Sequence, residues 1–148
     1  MTAELDNRVR VHVYEAFVAD GRPPSPAETA RALDLEPEEA EAAYGRLAEA
    51  RVFILAPNTN RIWAVNPLCA TPSAFPVEAG GRLWYGICIW DALGIPAMLG
   101  TDGRVTTPCP DCGDALTFEV RDGALVPVDA VVHFAVPARR WWENIAFT

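Results

Sequence analysis

The spacing of apolar residues changes across one stretch of this chain, and that change limits the folds open to it. Before Pro67, apolar side chains recur every three or four residues, the spacing of helices that bury one face. After Gly81 they come in short runs separated by turn residues, the pattern of strands. Between the two lie Pro67, Pro72 and Pro76 and the pair Gly80-Gly81, a proline-punctuated connection. Helices gathered at one end and strands at the other predict an α+β protein. Its expected parts are an N-terminal unit over 1–66, a Pro/Gly-rich linker over 67–81 and a C-terminal α+β unit over 82–148.

The N-terminal unit reads as three helices and a β-hairpin. Val9, Val13, Ala16 and Phe17 form the stripe of a first helix that ends before Asp20-Gly21. Ser25 and Glu28 have capping-box spacing, and Pro26 suits the first position of a second helix presenting Ala27, Ala30 and Leu33 to the core. Pro37 opens a third, with Ala40, Ala43, Tyr44, Leu47 and Ala50 on one face. The runs Val52–Leu55 and Ile62–Val65 flank the turn Asn58-Thr59-Asn60. The order resembles a winged helix-turn-helix, whose usual use is to bind DNA. Here the third helix begins Glu36-Pro37-Glu38-Glu39-Ala40-Glu41, and those carboxylates would meet phosphate repulsion; only Arg46, Arg51 and Arg61 offset them. A winged-helix scaffold used for packing is expected, with a metal-sensing regulator as the least favoured function.

A formal net charge of −8 argues against attraction to nucleic acid or anionic lipid. No apolar run reaches the ~18 residues of a membrane span, and the acidic start lacks the basic and apolar blocks of a signal peptide. A soluble cytoplasmic protein is expected, with Cys69, Cys88, Cys109 and Cys112 as thiols, ligands or core residues rather than disulfides.

In the C-terminal half, Leu83 to Leu99 is apolar and aromatic, and Gly94 and Pro96 should kink or end any helix there. Runs at Arg104–Thr107, Ala115–Val120, Ala124–Val128 and Val131–Val136 alternate with turns such as Asp102-Gly103 and Asp122-Gly123. They predict a small mixed sheet packed on a helix that carries Cys88. Arg139-Arg140-Trp141-Trp142-Glu143 reads as a surface helix start.

Cys88 and Asp91 are the residues best equipped for chemistry. On a helix, positions three apart share a face, so a soft nucleophile and a carboxyl group would sit together. Alone, Cys88 reads as a buried structural thiol. Asp91, beside Trp90 and near Trp84 and Tyr85, is costly to bury unless it is paired or protonated, and a desolvated carboxyl group keeps its proton. Asp91 could equally cap a helix that starts later, which would put Cys88 outside the helix. Cys109-Pro110-Asp111-Cys112-Gly113 has the spacing of half a zinc knuckle, with no second Cys-x-x-Cys to complete it. Turn chemistry, a soft-metal site and a redox pair all remain open for it. His12 and His133 read as structural residues.

Taken in order, these features resemble the organomercurial (alkylmercury) lyases. The likeness rests on the acidic N-terminal unit, the linker ending Ala74-Phe75-Pro76-Val77, the stretch Leu83-Trp84-Tyr85-Gly86-Ile87-Cys88-Ile89-Trp90-Asp91-Ala92-Leu93-Gly94-Ile95-Pro96, and Arg104-Val105-Thr106-Thr107-Pro108-Cys109 with Gly113. The resemblance implies that Cys88 captures the mercury of an R–Hg⁺ compound as a thiolate and that Asp91 protonates the departing carbon. It implies no organic cofactor, Hg²⁺ as bound product and cellular thiols as its acceptors. Cys109 matches a cysteine usually structural in the family. The family's second active-site thiol would fall beyond Thr148, leaving Cys112, which is outside the family pattern, as the residue that could substitute. The alternative function is a non-catalytic relative that binds a soft metal through Cys88 with Cys109 or Cys112.

Overall fold

The computed structural model describes residues 2–146; Met1, Phe147 and Thr148, at the ends of the two expected units, lie outside the described residues. The chain is α+β and divides into two compact units, one up to Thr71 and one from Pro72.

In the first unit, helices α1 (Thr2–Asp20), α2 (Pro26–Leu33) and α3 (Pro37–Glu49) precede a three-stranded antiparallel sheet of β1 (Ile54–Leu55), β2 (Ile62–Val65) and β3 (Leu68–Cys69). The expected stripes form the core: Val9, Val13 and Phe17 from α1, and Ala40, Ala43, Tyr44 and Leu47 from α3. Tyr44 meets Phe53 edge to face at 5.2 Å, and its hydroxyl bonds Thr29 Oγ1 at 2.8 Å and donates to the Pro24 carbonyl at 3.0 Å. Burial pushes that phenol up to about 12, so it stays a neutral donor. Two positions depart from the helical reading. Ala27 is exposed while Thr29 is buried, because Thr29 has Tyr44 to satisfy its hydroxyl; Ala50 is exposed because it lies past the end of α3. The turn at Asn58 holds as read, with φ of 58°, which asparagine tolerates.

In the second unit, β4 (Pro76–Ala79), β5 (Arg82–Tyr85), β6 (Gly103–Pro108), β7 (Ala115–Arg121) and β8 (Ala124–Leu125) form one sheet of order β5-β4-β6-β7-β8. Every ladder is antiparallel, so the mixed sheet expected from sequence is corrected. The physical reason is connection length: three of the four pairs are joined by hairpins, which force antiparallel pairing. β4 lies inside the stretch read as linker. Its alternation of Val77 and Ala79, both buried, with Pro76 and Glu78 is a strand pattern that the prolines masked.

Helix α4 (Ile89–Leu99) lies against β4, β6 and β7, burying Ala92, Ile95 and Pro96 over Val77, Val105 and Phe118. Pro96 does not end it. The helix continues to Leu99 and stops at Gly100, whose φ of 64° is left-handed. The proline ring is buried against Gly103, where any Cβ would clash with it, so tight helix–sheet packing offsets the lost backbone bond. The predicted strand Val131–Val136 is irregular chain, with Val131 92% exposed. β8 stops at Leu125 and Pro127 follows, so no sheet edge continues to receive it. A 3-10 turn over Ala138–Glu143 replaces the expected helix start, and Trp141 stacks on Phe134 at 4.8 Å. Among the described residues, no helix is long and apolar enough to cross a membrane.

Candidate active site

The site is built where β5 turns into α4. Gly86 makes that turn possible: a Cβ there would lie 2.6 Å from the Ala92 nitrogen. Ser73 Oγ donates to the Gly86 carbonyl at 2.6 Å, and the Gly86 amide donates to the Phe75 carbonyl at 3.0 Å. The loop before α4 is thereby tied to the chain leading into β4.

Cys88 is not in the helix. It is the residue that caps α4, with extended backbone (φ −137°, ψ 178°), and α4 starts at Ile89. The expectation of a helical cysteine is corrected, because after the tight turn at Gly86 two non-helical residues, Ile87 and the extended Cys88, precede the helix. The pair survives the correction. With Cys88 at the cap, Asp91 is the third helical residue, and cap and third residue face each other as in a capping box. Cys88 Sγ lies 3.6 Å from Asp91 Oδ2. Sulfur makes no capping bond of ordinary length, although the amides of Asp91 and Trp90 favour its thiolate.

Electrostatics push both acids the same way. Burial raises the Cys88 thiol, and the Asp91 charge adds to this against those amides. Burial also raises Asp91, against hydrogen bonds from the Cys88 thiol and backbone amide. Each group is half-buried, and no ion pair with an arginine forms at Asp91 among the described residues. The arrangement can hold one proton between sulfur and carboxylate and move it from one to the other. Trp90 is 68% exposed and points away from the core, whereas Trp84 is buried and donates to the Ala79 carbonyl at 3.0 Å.

An apolar cavity of about 320 Å³ opens beside the start of α4, walled by Phe75, Ile89, Leu116, Phe118, Val131 and His133. A larger opening of about 620 Å³ on the first unit, lined by Leu5, Arg8, Glu38, Glu39 and Arg46, contains no thiol. The smaller cavity is the better candidate because it touches the residue next to Cys88. Its wall was missed in the sequence. The Phe75-x-Val77-x-Ala79 alternation could have placed Phe75, but the segment 131–133 reads as part of a strand and is irregular chain.

The other thiols divide. Cys69 is buried in β3 with its sulfur 3.8 Å from the Trp63 carbonyl, a core position. Cys109 is half-buried and Cys112 exposed, in a turn closed by Cys109 N–H to Asp114 O at 2.7 Å and Gly113 N–H to Cys109 O at 2.9 Å. The amides of Cys112 and Asp111 and the Cys112 side chain lower the Cys109 thiol. His12 is half-buried on α1 and His133 is exposed at the cavity. Among the described residues, no three of His, Cys, Asp or Glu come together to hold a metal ion.

A family model described as "MerB: Alkylmercury lyase" matches residues 68–148, just over half of the chain. An alkylmercury lyase from Streptomyces lividans is 29% identical over 124 residues, covering 82% of this chain and 55% of that protein. The chain thus spans about half the length of the curated relative it matches. The crystal structure of the mercury-bound form of MerB2 superposes with a TM-score of 0.65 at 15% identity, over 85% of this chain and 66% of that one, and so shares the fold.

Proposed function

This chain belongs to the alkylmercury lyase family, and from that premise we propose that it cleaves carbon–mercury bonds by protonolysis at Cys88 and Asp91. The observation that carries the reading is the 3.6 Å contact between the Cys88 thiol and the Asp91 carboxylate at the start of α4. Mercury is soft and prefers sulfur, so an R–Hg–X substrate meets Cys88 first. As the S–Hg bond forms, X leaves as an anion and the thiol proton passes to Asp91. Asp91 then holds an acidic proton beside the mercury-bound carbon. The C–Hg electron pair takes up that proton, R–H leaves, and Cys88 retains Hg²⁺ as its thiolate. The raised Asp91 pKa suits this transfer, because a carboxyl group that binds its proton more tightly is a better acceptor for a thiol. Burial of Cys88 opposes it, and the amides of Asp91 and Trp90 together with the S–Hg bond favour release of the thiol proton. Two external thiols remove the ion as a bis-thiolate and one proton returns to Cys88. The apolar cavity beside Ile89 supports an apolar R group. The reading requires no organic cofactor and sets the reaction in the reducing cytoplasm, with cellular thiols as acceptors.

The test is incubation with phenylmercury and excess external thiol, following benzene release. Wild type is expected to release benzene and Cys88→Ser is not; a wild type that releases none refutes the reading. A second reading, soft-metal binding without cleavage, is favoured by the Cys109–Cys112 turn. It predicts stoichiometric mercury retention with no benzene.

A further inference from the structure

The turn at Cys109 to Gly113 is not used by the protonolysis chemistry, yet it is built around two thiols. We propose that Cys109 and Cys112 form a two-thiolate site for a soft d¹⁰ cation, Hg²⁺ foremost, separate from Cys88. The inference rests on the protonolysis reading only for the source of the ion; the site itself does not depend on it.

Three observations carry it. First, the two thiols stand three residues apart within one closed turn, whose Gly113 amide donates to the Cys109 carbonyl at 2.9 Å, and the Cys112 and Asp111 amides and the Cys112 side chain lower the Cys109 thiol. Amides so placed stabilise a metal-bound thiolate without occupying the metal. Second, the turn is set before any ion arrives. Two backbone bonds close it, Cys109 N–H to Asp114 O and Gly113 N–H to Cys109 O, and Gly113 takes a φ of 80°. Pro110 fixes a further torsion, and the exposed Cys112 leaves the pair open to solvent. Third, the ligand set is incomplete for zinc. Structural zinc takes four ligands in a tetrahedron, and among the described residues no third His, Cys, Asp or Glu joins the pair. Two sulfurs alone suit a soft ion that is satisfied by two-coordination.

Pro108 and Pro110, on either side of Cys109, line the same cavity as Ile89, the neighbour of Cys88. The turn therefore borders the space beside the capturing thiol. Loading is a ligand exchange that balances. A mercuric bis-thiolate gives its ion to the pair, two Hg–S bonds break and two form, and the protons of Cys109 and Cys112 leave on the two released thiols.

The experiment uses the full reduced chain as Cys88→Ser, so that the catalytic thiol is absent. One equivalent of mercuric chloride is added with a large excess of N-acetylcysteine, and mercury per chain is measured after gel filtration, together with the Hg–S charge-transfer absorbance. The expected result is one Hg²⁺ retained per chain. Adding Cys112→Ser lowers retention at least ~100-fold, the loss expected when a chelate becomes a single contact. Cys112 is exposed, and far-UV circular dichroism checks that the variant is folded. Adding Cys69→Ser instead leaves retention unchanged. No retention in Cys88→Ser, equal retention without Cys112, or zinc chloride held as tightly as mercuric chloride overturns the proposal. No organomercurial is present, so this outcome is independent of benzene release, which alone decides the protonolysis reading.

Discussion

Helices α2 and α4 begin with the same local device and put it to opposite uses. At α2 the cap is Ser25 and the third helical residue is Glu28; at α4 they are Cys88 and Asp91. At α2 the box is closed: Ser25 Oγ accepts from the Glu28 amide at 3.2 Å, and Glu28 accepts from the Ser25 amide at 2.7 Å. Arg22 adds an ion pair at 2.6 Å, and together these hold the Glu28 carboxyl well below the usual carboxylate range. At α4 a poor hydrogen-bonding sulfur replaces the hydroxyl, and burial raises the carboxyl group instead. One site spends its charge on a helix end. The other keeps a proton poised beside a nucleophile. The spacing is shared, and the environment decides between structure and chemistry.

Converting one box towards the other has the largest expected effect. Cys88→Ser gives α4 a good cap, so its stability holds or rises by about 0.5–1 kcal/mol, while benzene release falls at least ~1,000-fold because a hydroxyl neither captures mercury nor shares the thiol's acidity. Chemical denaturation and the phenylmercury assay read the two halves separately. Next comes the turn that presents Cys88. Gly86→Ala drives a Cβ into the Ala92 backbone, and a loss of ~1–3 kcal/mol in urea unfolding is expected along with slower benzene release.

The α2 box is then broken alone. Ser25→Ala is expected to cost about 1 kcal/mol and to leave benzene release per folded chain unchanged; any effect on turnover would mean that the two boxes are not separate in function. The smallest effect is one of sign. Glu28 is lowered by folding, so it contributes stability above its unfolded value, lost as pH falls through and below the ordinary carboxylate range. Asp91 is raised by folding, so its ionisation costs stability as pH rises from its ordinary value through its raised one. At neutral pH, Glu28→Gln should therefore lower the melting temperature and Asp91→Asn should hold or raise it. Benzene release should decline as acid protonates Asp91, tenfold per pH unit below its raised value.

Much of this was legible in the residues themselves. The Ser25–Glu28 box, the stripes of α1 and α3 and the Cys88–Asp91 pairing follow from spacing, because caps and helix faces are local. The start of α4 was not, since it depends on a Gly86 contact with Ala92 that only the packed fold creates. β4 was hidden by the prolines around it, and its place between β5 and β6 is a non-local pairing. Pro96 remained helical because Gly103, on a strand, leaves space for its ring. The cavity wall at Val131 and His133 comes from irregular chain, for which no periodicity exists.

The central claim is that Asp91 delivers the proton that Cys88 gives up. Single-turnover release of benzene from phenylmercury by Asp91→Asn, with bound mercury counted in the same sample, tests it most directly. Phenylmercury is expected to load onto Cys88 still, while benzene appears at least ~100-fold more slowly than from wild type. Benzene release at the wild-type rate would contradict it.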